Sequence, residues 1–148
     1  MPWAEYLLKT GDKAFVEQNF SAGGNSPTEP SLEEAAHAIA ADRTGPMGTM
    51  EATDDIDTQG YWTTDDYEAL LGLAAYRYVA STLGNTSEAA WASAQYASLL
   101  AATNAVLTAT ISQDHLDYLP CSLVQPNTAN RCNNPKDANW TSPIGTWA

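Results

Sequence analysis

The residues best suited to chemistry lie in the acidic loop, residues 51–62. Carboxylates crowd its first half, and crowded carboxylates shift one another's proton affinities apart. One carboxyl group then stays protonated while another is ionised, which is the pairing that acid/base catalysis needs. The loop therefore supplies the candidate catalytic residues Glu51, Asp54, Asp55 and Asp57.

Aromatic side chains follow these carboxylates. Tyr61 and Trp62 offer flat apolar faces of the kind on which sugar rings stack, and Trp140 lies in the irregular C-terminal part of the chain. These three are the candidate substrate-binding residues. A role as ordinary core or loop-anchoring aromatics is an equally open interpretation.

The acidic loop has a second interpretation as a cation site. Residues 55–66 match the ligand positions of an EF-hand-like calcium loop, which makes Asp55, Asp57, Gln59 and Asp66 candidate metal ligands. Asp66 stands where such loops usually carry the longer Glu. The match therefore predicts the ligands more clearly than it predicts tight binding.

A structural role is the third interpretation of this region. Thr63 or Thr64 followed by Asp65 and Asp66 is typical of a helix N-terminus, where a hydroxyl caps the helix and acidic groups interact with its positive end. We favour this role for Asp65 and Asp66, and a functional role for the carboxylates that precede them.

Two histidines offer further metal or base chemistry. His37 follows Glu33 and Glu34, and His115 is flanked by aspartates. Either one could join carboxylates to hold zinc or another divalent ion. The simpler interpretations are a solvated helix face for His37 and a cation at a helix C-terminus for His115. Hydrolysis by the acidic loop requires no cofactor, whereas the cation-site interpretations require calcium or zinc.

The charge balance excludes some partners. With 6 basic and 18 acidic residues, the 148-residue chain has a net charge of −12, which repels phosphate backbones and anionic lipid surfaces. Apolar runs are shorter than a membrane span, and the N-terminal residues have neither a basic head nor an apolar stretch. We therefore expect a small-molecule or carbohydrate substrate, no nucleic acid, no membrane and no targeting segment.

Apolar periodicity predicts a single all-α domain of helical hairpins over residues 1–148. Ser31 and Glu34 form a capping-box pattern at the start of the second helix, and Gly11 is a weak point within the first. The strand signal is weak and confined to 119–124. Four helices and a loop-rich tail are expected at about 3–19, 31–43, 64–82, 87–112 and 114–148.

The two cysteines, Cys121 and Cys132, lie in a segment rich in Pro, Asn and Asp. A disulfide between them would close and order this segment if the parent protein is exported. Two reduced thiols are the alternative. A zinc site has little support, because no CxxC pair accompanies the cysteines.

Three segments carry a family resemblance: the loop Asp55–Trp62, the helix Tyr67–Ala80 and the segment Cys121–Cys132. In these segments the chain resembles a bacterial protein of the six-hairpin glycosidase type. The resemblance implies an (α/α)6 toroid of twelve helices that acts on glycosidic bonds with two carboxylates, commonly with inversion. It also implies a carbohydrate substrate and a secreted bacterial parent protein.

The predicted helices make up only a sector of such a toroid, so the chain resembles a fragment of the family fold. Helices 64–82 and 87–112 would then expose apolar faces that neighbouring helices cover in a complete toroid. Such faces favour self-association, so we expect a homo-oligomer. No residue of the chain matches a known catalytic acid of the family.

These observations predict a hydrolase-like helical domain of glycoside hydrolase ancestry that acts through the acidic loop. Two alternatives stay open at this point. One is a promiscuous or metal-assisted hydrolase of another bond, such as a phosphoester. The other is a non-catalytic module that binds carbohydrate or calcium.

Overall fold

The computed structural model describes residues 2–21, 30–54 and 59–124. These ranges contain no β-strand, only isolated bridges, so the predicted all-α class is confirmed. The sector of a toroid stays a prediction. The elements are α1 (Pro2–Thr10), α2 (Lys13–Glu17), α3 (Leu32–Ala41), a 3-10 turn (Pro46–Gly48), α4 (Thr63–Leu83) and α5 (Thr86–Asp114).

The centre of the fold is a hairpin of α4 and α5. Gly84 ends α4 in the left-handed conformation, with φ of 82°, which costs a glycine little. The Asn85 side chain then caps α5 by accepting a hydrogen bond from the Glu88 N–H. Both signals are local, and both helix ends lie within two residues of their predicted positions. Buried members of the hairpin core are Ala69, Leu70, Leu73 and Leu99.

The prediction of one N-terminal helix over 3–19 is wrong, because the chain breaks at Gly11. Gly11 has φ of +68°, a conformation that leaves the right-handed helix. Asp12 then starts α2, and its side chain accepts a hydrogen bond from the Phe15 N–H at 3.1 Å. The break lets α1 and α2 each turn an apolar side chain, Leu7 and Val16, into the same core cluster.

The predicted capping box at the start of α3 is confirmed. The Glu34 N–H donates to Ser31 Oγ at 3.1 Å, and the Ser31 N–H donates to Glu34 Oε2 at 2.8 Å. α3 packs closely against α4 at Gly72, where a Cβ would lie 2.9 Å from Ile39 Cδ1. This approach brings the polar side chains of α3 near the hairpin.

The start of α4 is capped by a distant part of the chain. The predicted hydroxyl cap from Thr63 or Thr64 is wrong, because Trp62 is the N-cap residue and makes no side-chain capping bond. The Thr63 N–H instead donates to the Cys121 carbonyl at 2.8 Å, and the Leu123 N–H donates to the Tyr61 carbonyl at 2.8 Å. Segment 119–124 therefore returns to cover the first turn of α4.

Cys121 is buried and disulfide-bonded. Cys132, its predicted partner, lies outside the described residues.

One face of α4 carries exposed apolar side chains at helical spacing. Tyr67, Leu71 and Tyr78 are 43%, 57% and 38% exposed. The predicted self-association involves faces of both α4 and α5. Among the described residues of these two helices, the large exposed apolar side chains lie on α4, and self-association stays a prediction. None of the helices described here is long and apolar enough to cross a membrane.

Candidate functional site

The acidic loop is closed at its base by a pair of backbone hydrogen bonds. The Thr53 N–H donates to the Gly60 carbonyl at 3.0 Å, and the Gly60 N–H donates to the Thr53 carbonyl at 2.9 Å. This pair joins the two ends of segment 54–59. Glu51 and Asp54 are exposed on the outer side. Asp55 and Asp57, the other candidate catalytic residues, lie outside the described residues.

Trp62, the last residue of the acidic loop, packs against Thr53 and Gly60 and supports them. Only 1% of the residue is exposed, and its Nε1–H donates to the Thr53 carbonyl at 3.3 Å. Gly60 packs directly on the indole, since a Cβ at residue 60 would lie 2.8 Å from Trp62 Cζ2. The prediction that Trp62 stacks on substrate is wrong, because no face of the ring is free. Tyr61 is half-buried beside Val106 and Leu107, and Trp140 lies outside the described residues.

A second brace joins the loop to the first turn of α4. Thr53 Oγ1 donates to Asp65 Oδ2 at 2.7 Å. Thr53 thus holds Gly60 with its backbone, Trp62 with its carbonyl and Asp65 with its hydroxyl. The two ends of the loop cannot separate without breaking these bonds.

Asp66 is the most deeply buried carboxyl group among the described residues, with no measurable exposure. The Met50 N–H donates to Asp66 Oδ1 at 2.8 Å, and Oδ2 shares a short hydrogen bond with Thr103 Oγ1. The prediction that Asp66 is a metal ligand is wrong, because both oxygens are engaged inside the protein. Gln59, the other described candidate ligand, is exposed.

The pKa of Asp66 is raised above its ordinary value. Burial raises it, and this effect outweighs the hydrogen bonds from Thr103 and Met50 and the charge of Arg43, which lower it. Thr103 Oγ1 also lies 2.9 Å from the Leu99 carbonyl, yet a hydroxyl has only one proton. Thr103 Oγ1 donates to Asp66 Oδ2, so its single proton has two competing acceptors. Burial thus keeps Asp66 protonated to a higher pH than in the unfolded chain.

Arg43 holds the segment before the loop against α5. Its Nε donates to the Gly48 carbonyl at 2.8 Å, its Nη1 to Gln95 Oε1 at 2.9 Å and its Nη2 to Ser98 Oγ at 3.0 Å. All three acceptors are neutral. The guanidinium group thereby fixes the chain that presents the Met50 N–H to Asp66.

A second polar cluster lies farther along the hairpin. His37 Nε2 on α3 lies 3.0 Å from Glu88 Oε2 on α5, and Tyr76 Oη donates to the same oxygen at 2.9 Å. The His37 ring stacks on Trp91, with centroids 3.8 Å apart and planes within 9°. His37 is exposed, in agreement with the predicted solvated helix face, and its ring also has partners on α5. Glu33 completes the cluster from α3.

Hydrogen bonds decide the charge state of this cluster. Burial acts to raise the pKa of Glu88, but the bonds from His37 and Tyr76 and the charge of His37 lower it overall. Burial, followed by the bond to Glu88 and its charge, raises the pKa of Tyr76. Glu88 is thus an ionised acceptor and Tyr76 a permanent donor at neutral pH.

Glu88 was not predicted as a functional residue, because no sequence spacing connects it with His37. The two residues are 51 positions apart and meet only through the packing of α3 on the hairpin. His115, by contrast, is the exposed C-cap residue of α5, in agreement with its interpretation as a residue of a helix C-terminus.

No protein-family model matches the chain, and comparison with curated proteins and with solved structures finds no significant similarity. The resemblance to six-hairpin glycosidases therefore stays a prediction. Function has to be inferred from the chemistry of the side chains themselves.

We expect Asp66→Asn to be tolerated and to change the pH dependence of stability. An amide reproduces the protonated carboxyl group, accepting from Met50 and donating to Thr103. Unfolded Asp66 loses its proton near about pH 4, whereas the folded side chain keeps it to higher pH, so its contribution to stability falls as pH rises between the two pKa values. Urea unfolding should therefore favour the variant over the parent increasingly as the pH rises above about 4, and the difference should level off once the pH passes the folded pKa.

Two further variants provide the controls for this experiment. Thr103→Val removes the partner hydroxyl and should cost about 1–3 kcal/mol. Because this bond lowers the pKa of Asp66, its loss should also enlarge the fall in stability with rising pH. Asp54→Asn changes an exposed carboxyl group and should not alter the slope. A constant difference between Asp66→Asn and the parent across the pH range would contradict a raised pKa of Asp66 in the folded protein.

We also expect Gly60→Ala to loosen the base of the loop. The new Cβ would lie 2.8 Å from an indole that has no room to move, and such overpacking costs about 1–3 kcal/mol. Trp62→Leu removes the obstructing ring. The double variant should therefore lose less stability than the sum of the two single variants in urea unfolding, and strict additivity would show that the contact is unimportant.

Proposed function

We propose that the chain is a hydrolase-like helical domain of glycoside hydrolase ancestry, and that the acidic loop acts on a carbohydrate substrate. The proposal is supported by the contrast between the exposed carboxylates and the firmly held residues at the bottom of the loop. Glu51 and Asp54 face solvent, while Thr53, Gly60 and Trp62 beneath them are tied together by hydrogen bonds and close packing.

Acid/base catalysis requires a loop whose side chains are held in fixed positions. Catalytic groups act only when they are held within about 0.5 Å of their productive positions, and locked neighbours supply that precision. A loop whose acidic residues served solubility alone would need no buried tryptophan and no bond from Thr53 to Asp65. The bracing therefore favours a positional role for the carboxylates.

Among the loop carboxylates that the structure describes, Glu51 and Asp54 have no ion-pair partner. Within the described ranges, the ion pairs are Lys9–Glu5 and His37–Glu88, and neither involves the acidic loop. Carboxylates that are not neutralised by a basic side chain remain available to a substrate hydroxyl, a transferred proton or a cation. This availability fits a hydrolase and also the calcium-binding alternative.

Chelation separates the alternatives. Glycoside hydrolysis by two carboxylates needs no metal, so activity should survive treatment with a chelator. Hydrolysis of another bond, such as a phosphoester, by a metal-bound water molecule would be lost when the metal is chelated. A non-catalytic module would bind oligosaccharide or calcium without turnover of any glycoside or ester.

We expect Asp54→Asn, Asp55→Asn and Asp57→Asn to keep the melting temperature while at least one of them abolishes hydrolysis. An amide keeps the shape of the side chain but neither shuttles a proton nor carries negative charge. The loss of an acid/base group should lower kcat by about 10²–10⁴-fold. The assay is a panel of chromogenic glycosides and oligosaccharides, with melting followed by circular dichroism.

Glu68→Gln is the matched control, since Glu68 is an exposed carboxylate on α4 outside the loop. This variant should retain full activity. If the three loop variants hydrolyse glycosides and bind oligosaccharide as the parent does, the acidic loop is only the segment that leads into α4, and the proposal fails.

A further inference from the structure

The strongest unassigned cluster joins α3 and α5 away from the acidic loop. One ligand atom from each of Glu33, His37 and Glu88 lies within 4.8 Å of the other two. We propose that these three side chains form a binding site for a divalent transition-metal ion of the zinc class.

Backbone geometry already places the three donors around one point. Glu33 and His37 are four residues apart on α3, so they lie on the same helix face. Glu88 approaches from the first turn of α5. Two ligands of a tetrahedral zinc ion, each bound at about 2.1 Å, lie about 3.4 Å apart. The His37–Glu88 separation of 3.0 Å is close to that value, and the Glu33 donor, which lies within 4.8 Å of both, exceeds it by about 1.4 Å at most.

Neighbouring side chains orient the ligands as supporting residues do in metal sites. Tyr76 Oη donates to Glu88 Oε2 at 2.9 Å, and Ser21 Oγ donates to Glu33 Oε2 at 2.7 Å. The stack on Trp91 fixes the plane of the His37 ring. Such contacts hold carboxylate and imidazole ligands in position before a metal arrives.

The donor set selects the class of ion. An imidazole nitrogen with two carboxylate oxygens suits zinc and its transition-metal neighbours, whereas calcium and magnesium prefer oxygen alone. The two carboxylates balance the charge of a divalent ion. Three protein ligands leave a fourth position for water, as in catalytic zinc sites. Ions can reach the cluster from solvent, since the His37 side chain is 45% exposed.

The proposed site is separate from the acidic loop. Tyr76, which contacts Glu88, follows Asp66 by ten residues on α4, a distance of about 15 Å along the helix axis. Metal binding at the cluster and catalysis or calcium binding at the loop are therefore distinguishable by substitution.

Calorimetric titration of chelator-treated protein with zinc chloride tests the proposal. The parent should bind one zinc ion and release protons, with affinity that falls as the pH is lowered. His37→Phe keeps the stack on Trp91 without the ligand nitrogen, and Glu88→Gln keeps an acceptor for Tyr76 without the charge. Each of these variants, and Glu33→Gln, should weaken binding by more than about tenfold, and Tyr76→Phe by about tenfold.

A second readout uses cobalt(II), whose visible spectrum reports its coordination geometry. The parent should give an intense tetrahedral spectrum that His37→Phe abolishes. His115→Asn is the matched histidine control, because Asn tolerates the left-handed C-cap conformation, and it should bind as the parent does.

Three results would overturn the proposal. The first is zinc affinity that is equal in the parent, His37→Phe and Glu88→Gln, with all three folded by circular dichroism. The second is loss of zinc binding in Asp54→Asn with retention in His37→Phe, which would place the ion at the acidic loop. The third is the absence of zinc binding by the parent, which would leave the cluster as an ion pair between helices.

Discussion

The buried carboxyl group of Asp66 ties together three parts of the chain that are distant in sequence. Its Oδ1 accepts from the Met50 N–H before the loop, and its Oδ2 bonds to Thr103 in the middle of α5. An ionised carboxylate is costly at this depth, and burial accordingly raises the pKa of the group above its ordinary value. Asp66 can therefore stay buried only while both partners are in place, which couples the position of the loop to the packing of α4 on α5.

The geometry of the acidic loop follows from that coupling. Met50 fixes the chain before the loop by its bond to Asp66, and Thr53 fixes it again by its bond to Asp65, the preceding residue of α4. Trp62 then fills the space between the loop and the hairpin. The carboxylates at the surface are thus positioned by groups that have no chemistry of their own.

Local signals predicted much of the fold, while the roles of single residues depended on distant partners. The capping box of Ser31 and Glu34 and the end of α4 at Gly84 each depend on residues that are close in sequence. Such signals can be recognised from the sequence alone. Whether Trp62 is a platform or a core residue depends on Gly60 and on the returning segment 119–124, which no periodicity reveals. The role of Asp66 was also hidden in the sequence. Its partner Thr103 is 37 residues away, so only the match to a calcium-loop ligand position was visible.

The backbone cap on α4 has a consequence for the order in which the chain folds during synthesis. The carbonyl that accepts from the Thr63 N–H belongs to Cys121, and Thr63 Oγ1 donates to Pro120, 57 residues downstream. At about 5–20 residues per second, a ribosome needs roughly 3–12 s to add that length of chain. The first turn of α4 must therefore wait as an uncapped helix end on the nascent chain, and the loop that it supports is completed among the last parts of the described fold.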